Sequence, residues 1–106
     1  MQIYGLKNCD TCRKALKALP TAQLIDVRES GLPEEILDRA LSQFGAALLN
    51  TRSTTWRGLD EAQRQRDPRA LILDHPALMK RPLIAVDNSL FLSWNKEMEA
   101  EIKALL

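Results

Sequence analysis

Cys9 and Cys12 stand three residues apart in Asn8-Cys9-Asp10-Thr11-Cys12, and they are the chain's two cysteines. A close thiol pair of this kind serves redox or metal chemistry more often than it staples a fold. A closed structural zinc site wants four Cys/His ligands. The chain supplies two cysteines and one histidine, His75, so a metal centre is not expected. A secreted scaffold would spread more cysteines along its length. The pair therefore reads as redox-active thiols in a cytoplasmic protein with no bound cofactor.

The two sulfurs are expected to differ. Cys9 falls at the mouth of a predicted helix, where free backbone N–H groups and the positive dipole end favour thiolate over thiol. Arg13, one turn on, and Lys7, two residues before, each add positive charge. Cys12 falls on that helix's apolar stripe with Ala15, Leu16 and Leu19, spaced i, i+3, i+4, i+7. It should be more buried and less acidic. An accessible nucleophile beside a buried resolver is the division of labour that thiol–disulfide exchange needs. The plain alternative is two buried structural cysteines, which the strand–turn–helix context disfavours.

A second constellation is Met79-Lys80-Arg81-Pro82-Leu83, where a proline opens a strand. It reads as a substrate-shaping proline with Arg81 beside it for an anion, against the alternative of an ordinary strand-opening proline. Arg52, in Asn50-Thr51-Arg52-Ser53-Thr54-Thr55-Trp56-Arg57, reads equally as an anion-binding candidate and as a loop arginine paired with nearby acids. Arg57 reads better as a loop arginine paired with nearby acids. Trp56 and Trp94 read as core or rim packing. His75, before Pro76, reads as a helix-end residue with no acid at triad spacing. Glu61 to Arg69 reads as a solvated face.

The elements that must position these residues follow from apolar periodicity and from caps. Met1 to Leu6 reads as a strand and Lys7-Asn8 as a turn. A helix follows, with Asp10 and Thr11 as cap-type residues, ending at about Leu19 before Pro20. Leu24 to Val27 reads as a second strand and Arg28 to Leu32 as a turn. Pro33 is placed to begin a helix burying Ile36, Leu37, Ala40, Leu41 and Phe44, with Gly45 as its stop. Asn50 to Asp60 reads mostly as loop. Asp67-Pro68 predicts a helix to about Asp74, and His75-Pro76 a further short turn. Leu83 to Val86 and Leu90 to Leu92 read as strands joined at Asp87-Asn88. Asn95 to Leu106 closes as a helix with Met98, Ile102 and Leu105 on one face.

This order, β-α-β, then mostly helix, then β-β-α, predicts an α/β fold with a mixed sheet: a parallel first pair and an antiparallel final hairpin. A C-x-x-C at the first strand–helix junction makes it thioredoxin-like. In such folds the Pro82 position holds a cis proline facing the cysteines, although the isomer itself is not a sequence property. The expected organisation is a single domain over residues 1–106, with a helical insertion at about 28–80.

Composition agrees with a folded domain. The chain has 106 residues, 45% hydrophobic and 27% charged, which argues against disorder and low complexity. A chain this long can bury roughly 65% of its surface without a metal or disulfide staple. No apolar run approaches the ~20 residues of a membrane span. The opening strand runs straight into polar Lys7 and Asn8, unlike a signal peptide. Net charge is +1, from 15 basic and 14 acidic residues, which gives no support to direct nucleic-acid binding. A monomer is expected.

Three segments, Y-G-L-K-N-C-D-T-C-R-K-A, L-L-N-T-R-S-T-T-W-R-G-L-D and H-P-A-L-M-K-R-P-L-I, together resemble the arsenate reductase/Spx family, closest to its small YffB-like members. The resemblance runs over nearly the whole chain in the same order. It implies a thioredoxin-like fold with the helical insertion already read. It also implies that Cys9 is the attacking cysteine, with glutathione and glutaredoxin resolving the adduct, and that Arg81 helps hold an oxyanion. A second family arginine falls near Asn50 to Arg52, and Arg52 is the nearest residue of that type. A third comes from the last hairpin, where this chain has Ser89-Leu90-Phe91-Leu92-Ser93-Trp94 and no arginine. A site with less positive charge suits a glutathione disulfide or a mixed disulfide better than a multiply charged oxyanion.

Two functions are consistent with these residues. The first is a glutathione-linked thiol oxidoreductase of the arsenate reductase type, with Cys9 as nucleophile, Cys12 as resolver, and Arg13, Arg52 and Arg81 with Pro82 shaping the anion or substrate site. The second is a redox-switch regulator like Spx, in which the Cys9–Cys12 pair controls a surface read by the C-terminal domain of the RNA polymerase α subunit. The C-x-x-C and T-R-S segments resemble Spx; the N-C-D-T-C and T-T-W-R-G-L-D wording resembles the YffB-like branch.

Overall fold

The structure is a computed structural model and describes residues 1–106. In chain order its elements are β1 (Gln2–Gly5), α1 (Asp10–Ala18), β2 (Gln23–Asp26), α2 (Val27–Ser30), α3 (Glu34–Phe44), α4 (Thr54–Arg57), α5 (Glu61–Arg64), α6 (Pro68–Asp74), β3 (Leu83–Val86), β4 (Ser89–Leu92) and α7 (Lys96–Leu105). Short 3-10 turns occupy Gly45–Leu48 and Pro76–Leu78. The chain forms two compact units, one of Met1–Asp26 with Arg81–Leu106 and one of Val27–Lys80. No helix is long and apolar enough to cross a membrane.

The first unit holds the sheet, in the order β2-β1-β3-β4. β1 runs parallel to β2, which the intervening α1 requires, and antiparallel to β3. β3 and β4 form a hairpin pairing Leu83 with Leu92 and Val86 with Ser89, so Asp87 and Asn88 make the two-residue loop. Asp87 turns the corner at φ 52°, a left-handed conformation that Asp tolerates. This is the thioredoxin-like mixed sheet expected, with the helical insertion between β2 and β3. One sheet face presents Ile3, Ile84 and Val86 to Ala15 and Leu19 of α1 and Ile102 of α7, and these six buried residues form one core cluster. Leu24, Phe91 and Trp94 pack at its margin. Strand alternation puts Gly5 on the same side as Ile3, facing α1.

The second unit is helical. α3 buries Leu37 and Ala40 and stops at Gly45, which takes φ 59° and donates its N–H to the Leu41 carbonyl. Leu59, Leu71 and Leu78 form this unit's own core, with Leu49 and Trp56 against it. Arg69 of α6 reaches α3, its Nε 2.7 Å from Asp38 and an Nη 2.9 Å from Glu34. Glu61 to Arg69 is therefore not purely a solvated face, because Arg69 ties two helices together.

Several local expectations give way. Asn50 to Asp60 is not mostly loop: Ser53 accepts a hydrogen bond from the Trp56 N–H at 3.1 Å and starts α4. The β-branched Thr54 and Thr55 conceal this turn, because they weaken helix propensity. The charged stretch after Asp60 contains α5, held by a reciprocal cap between Asp60 and Gln63. Val27 does not continue β2; it opens α2, which ends at Gly31 with φ 73° and the Gly31 N–H bonded to the Val27 carbonyl. Pro33 sits at the N-cap of α3 and not at its first helical position. Ile36, Leu41 and Phe44 are only half-buried, and Leu105 is 55% exposed, so α7 buries Ile102 alone.

Candidate active site

The loop joining β1 to α1 carries the thiols. Cys9 is the N-cap residue of α1, extended at φ −100° and ψ 121°, and its side chain makes no capping bond. The expected caps Asp10 and Thr11 instead lie inside the helix, where Asp10 places its charge at the positive end of the dipole. The first-turn N–H groups of α1 have no partner within the helix. The Cys9 carbonyl accepts from the Arg13 N–H at 3.0 Å, the first bond of the helix.

The loop is pinned from three sides. The Cys9 N–H donates to the Leu6 carbonyl at 3.3 Å. The Lys7 N–H donates to an Asp26 carboxylate oxygen at 3.0 Å, linking the loop to the end of β2. The Lys7 carbonyl accepts from Arg13 Nε at 3.0 Å. Arg13 also lies 3.9 Å from Asp10, a loose and exposed pair of little energetic weight. Arg13 thus braces the loop that carries Cys9.

Cys9 and Cys12 are both free thiols; Cys9 is half-buried and Cys12 is fully buried. The difference follows from the helix, which turns Cys12 onto the face packed against β1. There the Cys12 sulfur occupies the space above Gly5. A Cβ on Gly5 would overlap the Cys12 Sγ and lie 3.3 Å from its Cβ. This is a close approach of helix to strand that only glycine permits. Burial pushes the Cys12 thiol up to about 12. Its hydrogen bond to the Cys9 sulfur and the proximity of that sulfur add to the rise. A backbone N–H from Leu6 and the positive charge of Arg81 oppose it.

Arg81 precedes β3 across a cis peptide bond to Pro82. Pro82 is buried and Arg81 half-buried. The Pro82 carbonyl accepts from the Ser93 N–H at 2.8 Å, extending the β3–β4 ladder by one pair. Ser93 itself takes φ 73°, a left-handed conformation in a non-glycine residue. The first unit therefore holds Cys9, Cys12, Arg13, Arg81 and Pro82, with Cys9 and the Arg81 charge both acting on the Cys12 thiol. Neither Ser93, which anchors Pro82, nor Gly5, which admits Cys12, was singled out by sequence reasoning. The Y-G-L-K-N-C string contains Gly5, but a glycine's neighbour across a helix–strand contact is not written in the string.

Arg52 belongs to the second unit, where it is exposed and lines a recess with Leu49, Asn50, Thr51 and Lys80. Arg57 is exposed and its carbonyl accepts from Arg64. Trp56 packs on the second core under the Arg64 guanidinium, 5.6 Å from the ring centre. His75 caps the end of α6, as expected.

Comparison with known proteins gives a consistent result. The model of the ArsC family matches residues 4–102. An uncharacterized protein of Haemophilus influenzae is 41% identical over 108 residues, covering 92% of this chain and 95% of that protein. The solved structure of a protein named YffB (PA3664) superposes with a TM-score of 0.83 at 31% identity, covering 99% of this chain and 98% of that one. The solution structure of an arsenate reductase (ArsC) related protein from Brucella melitensis has a TM-score of 0.69 at 36% identity, covering 97% and 91%.

Proposed function

The chain belongs to the ArsC family, and from that premise we propose that it is a glutathione-linked thiol oxidoreductase of the arsenate reductase type, with Cys9 as nucleophile. The carrying observation is the Cys9 sulfur: half-buried, uncapped at the start of α1, and next to a buried thiol on which the Arg81 charge acts. The reaction this supports is disulfide exchange. The Cys9 thiolate attacks the glutathione sulfur of a mixed disulfide. A Cys9–glutathione disulfide forms, and the substrate thiolate leaves and takes a proton. A second glutathione thiolate then attacks the glutathione sulfur of the adduct, releasing Cys9 thiolate and glutathione disulfide. One substrate disulfide is reduced, and glutathione supplies the two electrons. Arg81 is suited to steady the negative charge passing between sulfurs. Arsenate would enter at the same sulfur, with glutaredoxin as the partner that releases the adduct.

One observation favours a second reading. Cys12 is hydrogen-bonded to Cys9, so the pair is placed to close under oxidation, as a redox-switch regulator of the Spx kind would require. The deep burial of Cys12 weighs toward the enzyme, because a switch needs both thiols to react readily.

The test is steady-state turnover with glutathione, using a glutathione mixed disulfide and, separately, arsenate with glutaredoxin. Turnover of either that disappears in Cys9→Ser is expected. No turnover of either by the unmodified protein refutes the enzyme. Binding to the RNA polymerase α C-terminal domain that changes with oxidation would then establish the regulator.

A further inference from the structure

A tight turn delivers Cys9 to the helix. The Cys9 N–H bond to the Leu6 carbonyl, at 3.3 Å, closes a four-residue turn with Lys7 and Asn8 at its corners. Both corner residues are exposed. The N–H and C=O of the first corner residue take no part in closing such a turn and ordinarily face water. Here charged side chains from outside the turn hold both. Asp26 Oδ2 accepts from the Lys7 N–H at 3.0 Å, and Arg13 Nε donates to the Lys7 carbonyl at 3.0 Å. Hydrogen bonds to ionised groups are roughly twice as strong as neutral ones.

The two anchors come from different elements. Asp26 is the last residue of β2, where it pairs with Gly5 at the end of β1. Arg13 stands one turn into α1. One anchor therefore ties the turn to the sheet and the other ties it to the helix. Together they fix the middle peptide of the turn, whose C=O belongs to Lys7 and whose N–H belongs to Asn8. Turn types I and II differ by a flip of that peptide. A carbonyl bonded to Arg13 does not flip without losing the bond. The Cys9 side chain makes no capping bond to the helix, so the backbone before it sets the direction of its sulfur. Arg13 is engaged in this work: with Nε on the Lys7 carbonyl, the Nε side of its fork is closed to a two-point grip on an anion.

We propose that Asp26 and Arg13 are positioning residues that lock this turn and so aim the Cys9 sulfur at the disulfide it attacks. The proposal rests on the reading of Cys9 as the nucleophile. It gives Asp26 a part in the reaction, and it places the part of Arg13 on the turn and not on a bound anion. A misplacement of about 1 Å between reacting atoms can cost on the order of 10²-fold in rate. Freeing the turn is thus costly to the reaction, although neither anchor belongs to the core of the first unit.

The probe is the mixed disulfide of glutathione and mercaptoethanol, turned over with glutathione by the full-length protein. Asp26→Ala and Arg13→Ala should each lower kcat/KM about tenfold or more. Asp26→Asn keeps an oxygen that accepts from the Lys7 N–H, and it should stay within about threefold of the unmodified protein. The double alanine variant should lose less than the product of the two single losses, because both act on one turn. Amide hydrogen exchange reads the lock itself. The Lys7 amide should be protected in the unmodified protein and in Asp26→Asn and unprotected in Asp26→Ala, while the amides of β1 and α1 stay protected in all three. A charge acting through space gives a different pattern: Asp26→Asn would match Asp26→Ala, and both would oppose Arg13→Ala in sign. That pattern, turnover that survives both alanine changes, or an Arg13→Ala loss confined to a raised KM overturns the proposal and leaves Cys9 as the nucleophile. No turnover by the unmodified protein refutes the nucleophile reading, and the proposal with it.

Discussion

Cys12→Ala separates two routes for clearing a Cys9 adduct. If Cys12 resolves it, the variant stalls with Cys9 blocked. If external glutathione resolves it, the variant turns over. The structure favours the second route. With its thiol pushed up to about 12, Cys12 is thiolate in about one molecule in 10⁵ at pH 7, while an ordinary thiol at about 8.5 is ~3% thiolate. That is a deficit of about 10^3.5. The more basic sulfur is intrinsically more nucleophilic, and a Brønsted slope near 0.45 returns about 10^1.6. The net disadvantage is about a hundredfold per thiol. Forming the adduct removes the part of the rise that comes from the Cys9 sulfur, but burial, the largest cause, remains. The Cys12 sulfur also sits in the notch above Gly5, which restricts its swing toward an adduct. If the protein turns over as proposed, Cys12→Ala should therefore keep that turnover within about threefold of the unmodified protein. Iodoacetamide labelling, read per cysteine by peptide mass spectrometry, checks the premise directly. Cys12 labelling should rise about tenfold per pH unit from pH 7 to about 11 without a plateau. A plateau below pH 9, or a hundredfold loss of turnover in Cys12→Ala, would refute the reasoning.

The same notch predicts stability effects. Gly5→Ala should destabilise by about 1–3 kcal/mol, because a helix or strand must shift to admit the methyl group, and adding Cys12→Ala should recover part of that loss in a double-mutant cycle by urea denaturation. Stability should also depend on alkaline pH through Cys12. The unfolded thiol loses its proton at about 9.0 and the folded one at about 12, so the native state binds the extra proton between these values. The contribution is full below 9 and is lost as pH rises toward 12, at up to about 1.4 kcal/mol per pH unit. Urea midpoints at pH 8, 9.5 and 11 should fall more steeply in the unmodified protein than in Cys12→Ala. Equal slopes would contradict the assignment.

The sheet was legible because its signals are local and repeated. Leu83 to Val86 is a continuous apolar run, Asp87-Asn88 is a turn pair, and the stripe of Cys12, Ala15 and Leu19 fixes which side of α1 meets the sheet. The bounds of α6 follow from Asp67-Pro68 in the same way. The missed pieces are one-turn helices. Four residues are too few for a periodic stripe, so α2, α4 and α5 exist only through their caps: Gly31, Ser53, and the Asp60–Gln63 pair. The last of these is present in the sequence as D-x-x-Q, masked by its charged neighbours. The site was half legible. Spacing and resemblance pointed to Cys9, Cys12, Arg81 and Pro82. The roles of Gly5, Asp26 and Ser93 come from contacts between residues distant in sequence, and no local pattern encodes them.

Arg13 shows how a charge can be present in the sequence yet differently employed in the fold. Its position one turn after Cys9 marks it as an anion binder. In the structure its Nε holds the Lys7 carbonyl and its Nη1 leans toward Asp10. Ser93 stands in the last hairpin, which carries no arginine, and contributes its backbone N–H to Pro82. Arg81 is then the cation of the first unit whose charge acts on the buried thiol. One guanidinium can balance one negative charge on a sulfur or a monoanionic group, whereas a multiply charged oxyanion leaves charge uncompensated and must be desolvated against it. Under the proposed disulfide exchange the two sulfurs are neutral until Cys9 attacks, and the leaving sulfur then carries a single negative charge, which one guanidinium can balance.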